Sequence, residues 1–161
     1  PAADDYSFGI LQSICHWEWF KARCSTLTAR YRYTSNTVFD SFPWPQQPTK
    51  DAVLEVADAA RHFRMKRRSV MNERKLSLRD LYRLLDTTPN NEVSKAQGKL
   101  DVAVKKAYGL KRTDNILEFL LALNHRLADK EHRGEELTPP GLPNAFINEK
   151  KIYSQDCVEL I

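Results

Sequence analysis

Apolar residues recur at helical spacing over most of this chain, and the first such stretch lies close to its beginning. Over residues 6–23, apolar side chains return every three or four positions, starting with Phe8, Leu11 and Ile14. The aspartates at 4–5 precede this stretch and are N-cap candidates. The pattern predicts one amphipathic helix over 6–23 with a broad buried face. Its aromatic residues, which we expect to be mainly core, are Trp17, Trp19 and Phe20.

Residues 29–45 interrupt the helical pattern. Tyr31, Tyr33 and Val38 favour a strand, whereas the prolines at 43, 45 and 48 exclude a helix. We therefore predict an extended segment that follows directly on the supporting helix. The proline-rich stretch that ends it is typical of a stiff connector, so the best domain boundary falls at residue 48.

Beyond this boundary, four apolar stripes at helical spacing follow one another. Thr49, Ser77 and Asp114 are N-cap candidates for three of them, and Gly109 is placed where a C-terminal glycine cap belongs. Four amphipathic helices with short links predict a small bundle. The predicted fold is mostly α: a supporting helix and a short extended or β segment, then a four-helix bundle and an irregular tail. Its three parts are 1–48, 49–134 and 135–161.

Composition and charge add a bias toward an anionic partner. The chain has 161 residues, 42% of them hydrophobic, and a net charge of +4. Residues 49–134 carry 19 basic and 12 acidic groups and hold most of the positive charge. No apolar run approaches the roughly 18 residues that a membrane span needs, so we expect no membrane partner. The three cysteines are widely separated and suggest neither a disulfide framework nor a zinc site, which favours a reducing cytoplasm.

Patterns typical of catalysis are missing from the sequence. It has no glycine-rich nucleotide loop and no nucleophile elbow, and its four histidines are scattered. The nearest approach to a nuclease motif, at 92–95, falls at a predicted helix start. We therefore predict no catalytic residue, no metal site and no cofactor site within this chain.

Binding chemistry is concentrated in the extended segment. If it is a strand, Thr28, Arg30 and Arg32 share one face, while Tyr31 and Tyr33 share the other. Arginine can grip guanine O6 and N7 together, and threonine can serve base edges or a thymine methyl. The tyrosine face would pack on the helix and the polar face would meet a DNA groove. An aromatic core strand closed by an edge proline is the alternative interpretation.

Contacts to the DNA backbone are predicted from cations and small polar side chains. In the first part of the chain these candidates are Arg23, Arg32, Ser35 and Asn36. A second set lies in the eight residues from Arg61 onward and consists of Arg64, Lys66, Arg67 and Arg68. Such a stripe would neutralise phosphates and make affinity strongly salt-dependent. A solvated helix face is the alternative for these cations.

Several motifs together resemble a known family. They are Asp5-Tyr6-Ser7-Phe8-Gly9-Ile10-Leu11-Gln12-Ser13, Arg32-Tyr33-Thr34, Phe39-Asp40-Ser41-Phe42-Pro43-Trp44-Pro45, and two helical motifs that begin at Leu100-Asp101 and Ile116-Leu117. The chain resembles the C-terminal part of the MmeI-like type II restriction–modification enzymes and related adenine DNA methyltransferases. The likeness spans roughly residues 5–127. It implies the end of a target recognition domain followed by a helical domain.

The resemblance also implies partners, cofactors and a location. In that family, methyl transfer from S-adenosylmethionine is carried by an upstream domain, and Mg²⁺ is a further cofactor where the parent protein also cleaves DNA. The expected partners are double-stranded DNA and the upstream methyltransferase domain, in a bacterial cytoplasm. Base-reading side chains of the family map onto Thr28 and Arg30 here.

Two functional hypotheses remain open on the sequence. The first is a DNA-binding, target-recognition fragment whose parent protein performs the catalysis upstream. The second is a non-catalytic helical module that docks onto the methyltransferase core without touching DNA. One continuous basic face on the bundle would favour the first, whereas interspersed ion pairs would favour the second.

Overall fold

The computed structural model describes residues 3–27, 30–88 and 90–158, and most of these residues are helical. Their α-helices are α1 (Asp5–Gln12), α2 (Ile14–Arg23), α3 (Lys50–Arg74), α4 (Leu78–Thr87), α5 (Glu92–Tyr108) and α6 (Ile116–His132). Two short strands, β1 (Ser25–Leu27) and β2 (Arg30–Arg32), lie between α2 and α3. The predicted mostly α fold with a short β segment is confirmed. Within the described ranges, no helix is long and apolar enough to cross a bilayer.

The predicted helix over 6–23 is in fact two helices. Ser13 has an extended backbone between them, with φ −76° and ψ 164°. Its hydroxyl donates to the carbonyl oxygen of Ile10 across 2.7 Å, which satisfies the end of α1 instead of continuing the helix. The prediction of one continuous helix was therefore wrong, although both pieces lie where the apolar pattern placed them.

Local capping signals were good guides to the helix starts. The side chains of Asp4, Thr49 and Ser77 each accept a hydrogen bond from a backbone N–H three residues further on, which confirms all three caps. The start of α6 differs, because Asn115 is its cap and accepts from the N–H of Glu118 across 3.2 Å. Asp114 instead accepts from the N–H of Lys111.

The extended segment also departs from the prediction. After β2 the chain forms a single π-helical turn over Ser35–Phe39, called the π turn below. The indole N–H of Trp19 donates to the carbonyl oxygen of Val38 across 3.2 Å and ties this turn to α2. Val38 is fully buried, so tertiary packing fixes this turn. The strand preferences of its residues could not predict that packing.

One hydrophobic core runs across residue 48. Its buried members before that point include Tyr6 and Trp19, and those after it include Val53, Leu100 and Leu120. Helix α1 packs against α3 and α5, and α6 packs against α2. Helices α3, α5 and α6 therefore share this core with the first part of the chain, whereas Leu81 of α4 is buried in a second cluster with Phe63 and Val93. The division into domains at residue 48 stays a prediction.

The tail after α6 is irregular and folds back onto the helices. It contains short 3₁₀ turns at Asn144–Phe146 and Lys150–Ile152, and the side chain of Ile152 is completely buried. The side chain of Gln46 and the backbone of Thr138 exchange two hydrogen bonds, of 3.2 and 3.0 Å. The tail is thus packed against the proline-rich connector and against α3.

Candidate nucleic-acid interface

The β1–β2 pair is carried by α2 through aromatic contacts. The strands pair antiparallel, with Ser25 opposite Arg32 and Leu27 opposite Arg30. The ring of Tyr31 lies 5.7 Å from that of Phe20, measured between centroids, and the ring of Tyr33 stacks on Phe20 at 5.6 Å. The prediction that the tyrosine face packs on the supporting helix is confirmed.

A polar contact adds a second anchor to β2. The hydroxyl of Tyr33 lies 3.3 Å from Nε2 of His16, which is also on α2. The His16 ring meets the Phe42 ring edge-on at 5.0 Å. Burial lowers the pKa of His16 below its usual 6.5, so the ring is neutral at pH 7 and suits this environment.

Trp17 differs from the sequence expectation. The aromatic cluster on α2 was predicted to be core, and Trp19 is indeed fully buried, but Trp17 is 47% exposed. It lies against Phe20 and Tyr31, with centroid distances of 5.3 and 6.5 Å. His16, Trp17 and Phe20 fall within one helical turn, and that spacing could have identified the face of α2 that carries the strands.

Two predicted contacts to the DNA backbone, Arg23 on α2 and Arg32 on β2, lie at the protein surface. Arg32 is exposed on β2, and Arg23 is exposed at the last position of α2. The guanidinium of Arg23 lies 5.5 Å from the centre of the Trp19 ring, which orients it at the helix end. Neither side chain forms an ion pair among the described residues. Both are placed where an anion could reach them.

The two base-reading candidates are only partly described. The backbone of Arg30 pairs with Leu27, but its side chain lies outside the described part of the structure. Thr28 lies wholly outside the described residues. Their assignment as base-reading residues stays a prediction.

The start of the π turn presents small polar groups. Ser35 and Asn36 are both exposed, and the Ser35 hydroxyl donates to Oδ1 of Asn36 across 3.2 Å. The hydroxyls of Thr34 and Thr37 are bonded to each other beside them. The turn therefore places hydroxyl and amide groups within a few residues of Arg32, and these are suitable groups for phosphate or base edges.

Arg64 does not belong to a surface stripe. Its side chain is buried in an ion pair with Asp5, which is also buried, and it donates to the Ser154 hydroxyl across 3.1 Å. Its guanidinium lies 4.6 Å from the centre of the Phe8 ring. The sequence placed Arg64 among the phosphate contacts. The structure places it in the packing of α1 and the tail on α3.

The other cations of the α3 run have partners within the chain. Lys66 pairs with Glu92 across 2.8 Å, and Arg68 pairs with Asp156 across 2.6 Å. Arg67 lies over the Phe63 ring, 5.3 Å from its centre. The predicted stripe is thus interspersed with carboxylates and is not a continuous free basic face.

The described residues form neither a glycine-rich cofactor cradle nor a cluster of metal ligands. The five glycines stand singly: Gly9 and Gly98 lie within helices, and Gly109, Gly134 and Gly141 have positive φ at helix ends or turns. No run of glycines can therefore cradle a nucleotide-like cofactor. Among the described ranges, no group of three or more His, Cys, Asp or Glu side chains is arranged for a metal.

This chain is similar to known proteins over most of its length. A family model described as MmeI, target recognition domain, matches residues 1–46. DNA methyltransferase A of Bacillus subtilis (strain 168) is 30% identical over 137 residues, covering 80% of this chain. A solved structure of the type IIL restriction–modification enzyme MmeI in complex with DNA matches with a TM-score of 0.58 and 25% identity, also over 80% of this chain.

The matches cover small parts of much longer proteins. This chain spans 14% of the length of the Bacillus subtilis methyltransferase and 17% of the MmeI chain. The family match ends within the proline-rich connector that follows the π turn, so it contains α1, α2, the β1–β2 pair and the π turn. Residues 1–46 therefore match the target recognition domain of MmeI, and four fifths of the chain is similar to a segment of MmeI-like restriction–modification proteins.

Proposed function

We propose that this chain helps a DNA methyltransferase of the restriction–modification type to recognise its target, and that it contacts duplex DNA through the β1–β2 pair and the π turn. One observation carries the proposal. The part of the chain that matches a target recognition domain is also the part that presents exposed arginine, hydroxyl and amide groups from a fixed base.

The proposed residue roles rest on side-chain chemistry and, for Thr28 and Arg30, on the family resemblance. Thr28 and Arg30 are the base-reading candidates, and Arg23, Arg32, Ser35 and Asn36 are the candidates for the phosphate backbone. Because Tyr31 and Tyr33 are held on α2, the strand alternation turns the face of Arg32 away from the helix. A rigid support of this kind lets short polar side chains reach a groove without a large ordering cost.

The cations of α3 are expected to contribute less to DNA binding under this proposal. Lys66 and Arg68 could contact phosphates only by exchanging Glu92 and Asp156 for them, and Arg67 would have to leave the Phe63 ring. Counterion release would then be offset by the loss of the internal pairs. We therefore place the main DNA contacts in the first part of the chain.

Catalysis belongs to other parts of the parent protein. A methyltransferase takes its methyl group from S-adenosylmethionine, and the glycines here do not form a site for that cofactor. Whether Mg²⁺ is also required depends on whether the parent cleaves DNA. A restriction–modification role further implies a bacterial cytoplasm, and a methyltransferase domain of the same protein as the second partner.

A docking function for the helical part is the second candidate, and the ion pairs favour it. Besides Lys66 and Arg68, Lys106 pairs with Glu55 across 2.5 Å. Cations that are paired with carboxylates are less available to phosphates, so this surface is better suited to packing against another protein domain. Under this alternative, residues 49–134 would hold the methyltransferase core and would not touch DNA.

Fluorescence anisotropy of a labelled mixed-sequence duplex across a salt series tests the proposal. Arg30→Ala/Arg32→Ala should weaken binding and flatten the salt dependence, with the slope changing by about 0.9 for each phosphate that the chain no longer neutralises. Lys111→Ala/Arg112→Ala is the matched control, because it removes two exposed cations between α5 and α6.

Two outcomes would contradict the proposal. If both double variants weaken binding equally, the effect is one of net charge and not of the β1–β2 pair. If the unaltered chain binds no duplex even at low salt, the docking function is favoured. The same variants in the full-length parent would then show whether recognition depends on these arginines at all.

A further inference from the structure

The junction between α1 and α2 lacks the local cap that its second helix needs. The first N–H groups of a helix have no partner within it and usually bond to the N-cap side chain. Ser13 is at this position, but its hydroxyl donates to the carbonyl oxygen of Ile10 and does not cap a backbone N–H of α2. The start of α2 must therefore be satisfied from elsewhere.

Helix α5 supplies the missing partner. The N–H of Ile14 donates to Oδ1 of Asp101 across 2.8 Å, although the two residues are 87 positions apart in sequence. Nε2 of Gln97, one turn earlier on α5, donates to the same oxygen across 2.9 Å and to the carbonyl oxygen of Gln12 across 3.2 Å. Two side chains of α5 thus hold both sides of the junction.

The junction orients helix α2, which supports the β1–β2 pair of the proposed recognition surface. Helix α2 carries His16, Trp17 and Phe20, which contact Tyr31 of β2 and Tyr33 directly after it. One extended residue separates α1 from α2, so the direction of α2 depends on contacts outside the junction. Helix α5 is a firm base for them, since Leu100 and Val104 on either side of Asp101 are fully buried.

We propose that Asp101 is a positioning residue for DNA recognition: it caps α2 from α5 and thereby fixes the orientation of the β1–β2 pair. The helical part of the chain then influences recognition without contacting DNA. The inference rests on the proposed function of the β1–β2 pair. Its structural step, the coupling of α5 to α2, can be tested separately from DNA binding.

Hydrogen exchange of backbone amides, measured by mass spectrometry on the whole chain, tests the coupling. Asp101→Ala removes the acceptor and should speed exchange over 14–23 and 30–33 by roughly fivefold to tenfold, as expected when a helix cap is removed. Exchange in the core of α3 should not change. Asp101→Asn keeps an acceptor oxygen at the same position and should behave like the unaltered chain. Asp129→Ala, an exposed carboxylate on α6, is the control for charge.

A purely structural role would produce a different exchange pattern. If Asp101→Ala speeds exchange evenly over all helices, or leaves α2 and β2 unchanged, the positioning role is overturned. Should Asp101→Ala fail to fold, Gln97→Ala provides a milder version, because it removes the Gln97 bonds to Gln12 and Asp101 but keeps the Asp101 acceptor for the Ile14 N–H. The expected result for Gln97→Ala is a smaller increase confined to the same segments.

DNA binding provides the second readout and separates the two proposals. In the duplex anisotropy assay, Asp101→Ala should weaken binding about as much as it speeds exchange, and Asp101→Asn should restore it. Localised exchange without any change in affinity would overturn the recognition role and leave only the structural coupling. If the unaltered chain binds no DNA, the proposed function fails, while the exchange result still decides whether α5 positions α2.

Discussion

Arg64 on α3 and Asp5 on α1 form an ion pair in which both side chains are buried. The same carboxylate accepts from the Ser154 hydroxyl across 3.1 Å, so the pair also fixes the tail. Three segments that are distant in sequence meet at this one carboxylate. The pair therefore stabilises the packing of the first helix and of the tail on α3.

Removing the carboxylate should destabilise the chain strongly. Asp5→Ala leaves the buried Arg64 guanidinium with only the more distant Asp156 carboxylate, 3.9 Å from its Nε, and breaking such a buried pair costs about 3–5 kcal/mol. Asp58→Ala is a suitable control, because the Asp58 side chain is 71% exposed and its ion pair among the described residues is with Arg61. Its loss should cost less than about 1 kcal/mol. Urea unfolding of both variants gives the two free energies, and equal values would contradict the stabilising role of the buried pair.

Two glycines should respond in opposite ways to the same substitution. A Cβ on Gly9 would lie 2.8 Å from Cγ1 of Val56 and 3.2 Å from Cβ of Ala60, where α1 crosses α3. Gly9→Ala should therefore cost about 1–3 kcal/mol through overpacking. Apart from its own helix backbone and chain neighbours, Gly98 on α5 has no described heavy atom within 4 Å of such a Cβ, so Gly98→Ala should stabilise the chain by about 0.5–1 kcal/mol.

Thermal unfolding of the two alanine variants measures this contrast. A rise in the melting temperature for Gly98→Ala and a fall for Gly9→Ala is the expected result. A neutral Gly9→Ala would show that α1 can shift away from α3, and the close packing at this crossing would then have little energetic importance.

Much of the fold follows from local sequence signals, and the failures have a common physical cause. Asp4, Thr49 and Ser77 could be identified as caps because each bonds to an N–H only three residues away. The break at Ser13 was missed because apolar periodicity continues across it. Its stabilising partner, Asp101, is far away in sequence.

The candidate site likewise combines features that local sequence predicts with features that depend on contacts between distant residues. Alternation in the strand predicted correctly that Tyr31 and Tyr33 would face the supporting helix. The α3 cations look alike in sequence, but their roles depend on which acid the fold brings near each one. Arg64 meets Asp5 in the core, whereas Arg68 meets Asp156 of the tail. A run of cations in the sequence therefore does not show which of them are buried, paired or free at the surface.

The aromatic anchor of the β1–β2 pair should matter for DNA binding as well as for stability. Phe20→Ala removes ring packing with Trp17, Tyr31 and Tyr33, each pair contributing about 0.5–1.5 kcal/mol. Since the strands would lose their base, duplex affinity should fall by roughly tenfold, equivalent to about 1.4 kcal/mol. Anisotropy with the mixed-sequence duplex measures this loss.

A second aromatic pair offers a control away from the strands. Phe119 on α6 meets Tyr108 edge-on at 6.2 Å, so Phe119→Ala also removes an aromatic pair. It should lower stability without a comparable loss of DNA affinity. Parallel losses in both variants would indicate that affinity follows global stability, and the special role of Phe20 would then be wrong.

His16 should make the anchoring of β2 sensitive to mild acid. Burial lowers its pKa in the folded chain below the usual 6.5. As the pH falls from 6.5 toward the folded value, the unfolded chain therefore takes up the proton first, and stability decreases. The pKa of Asp101 is raised by burial, which acts in the opposite sense at lower pH. Urea midpoints measured between pH 5 and 8 should fall on the acid side in the unaltered chain, and His16→Gln should lose this step. An identical pH profile in His16→Gln would rule out His16 as its origin.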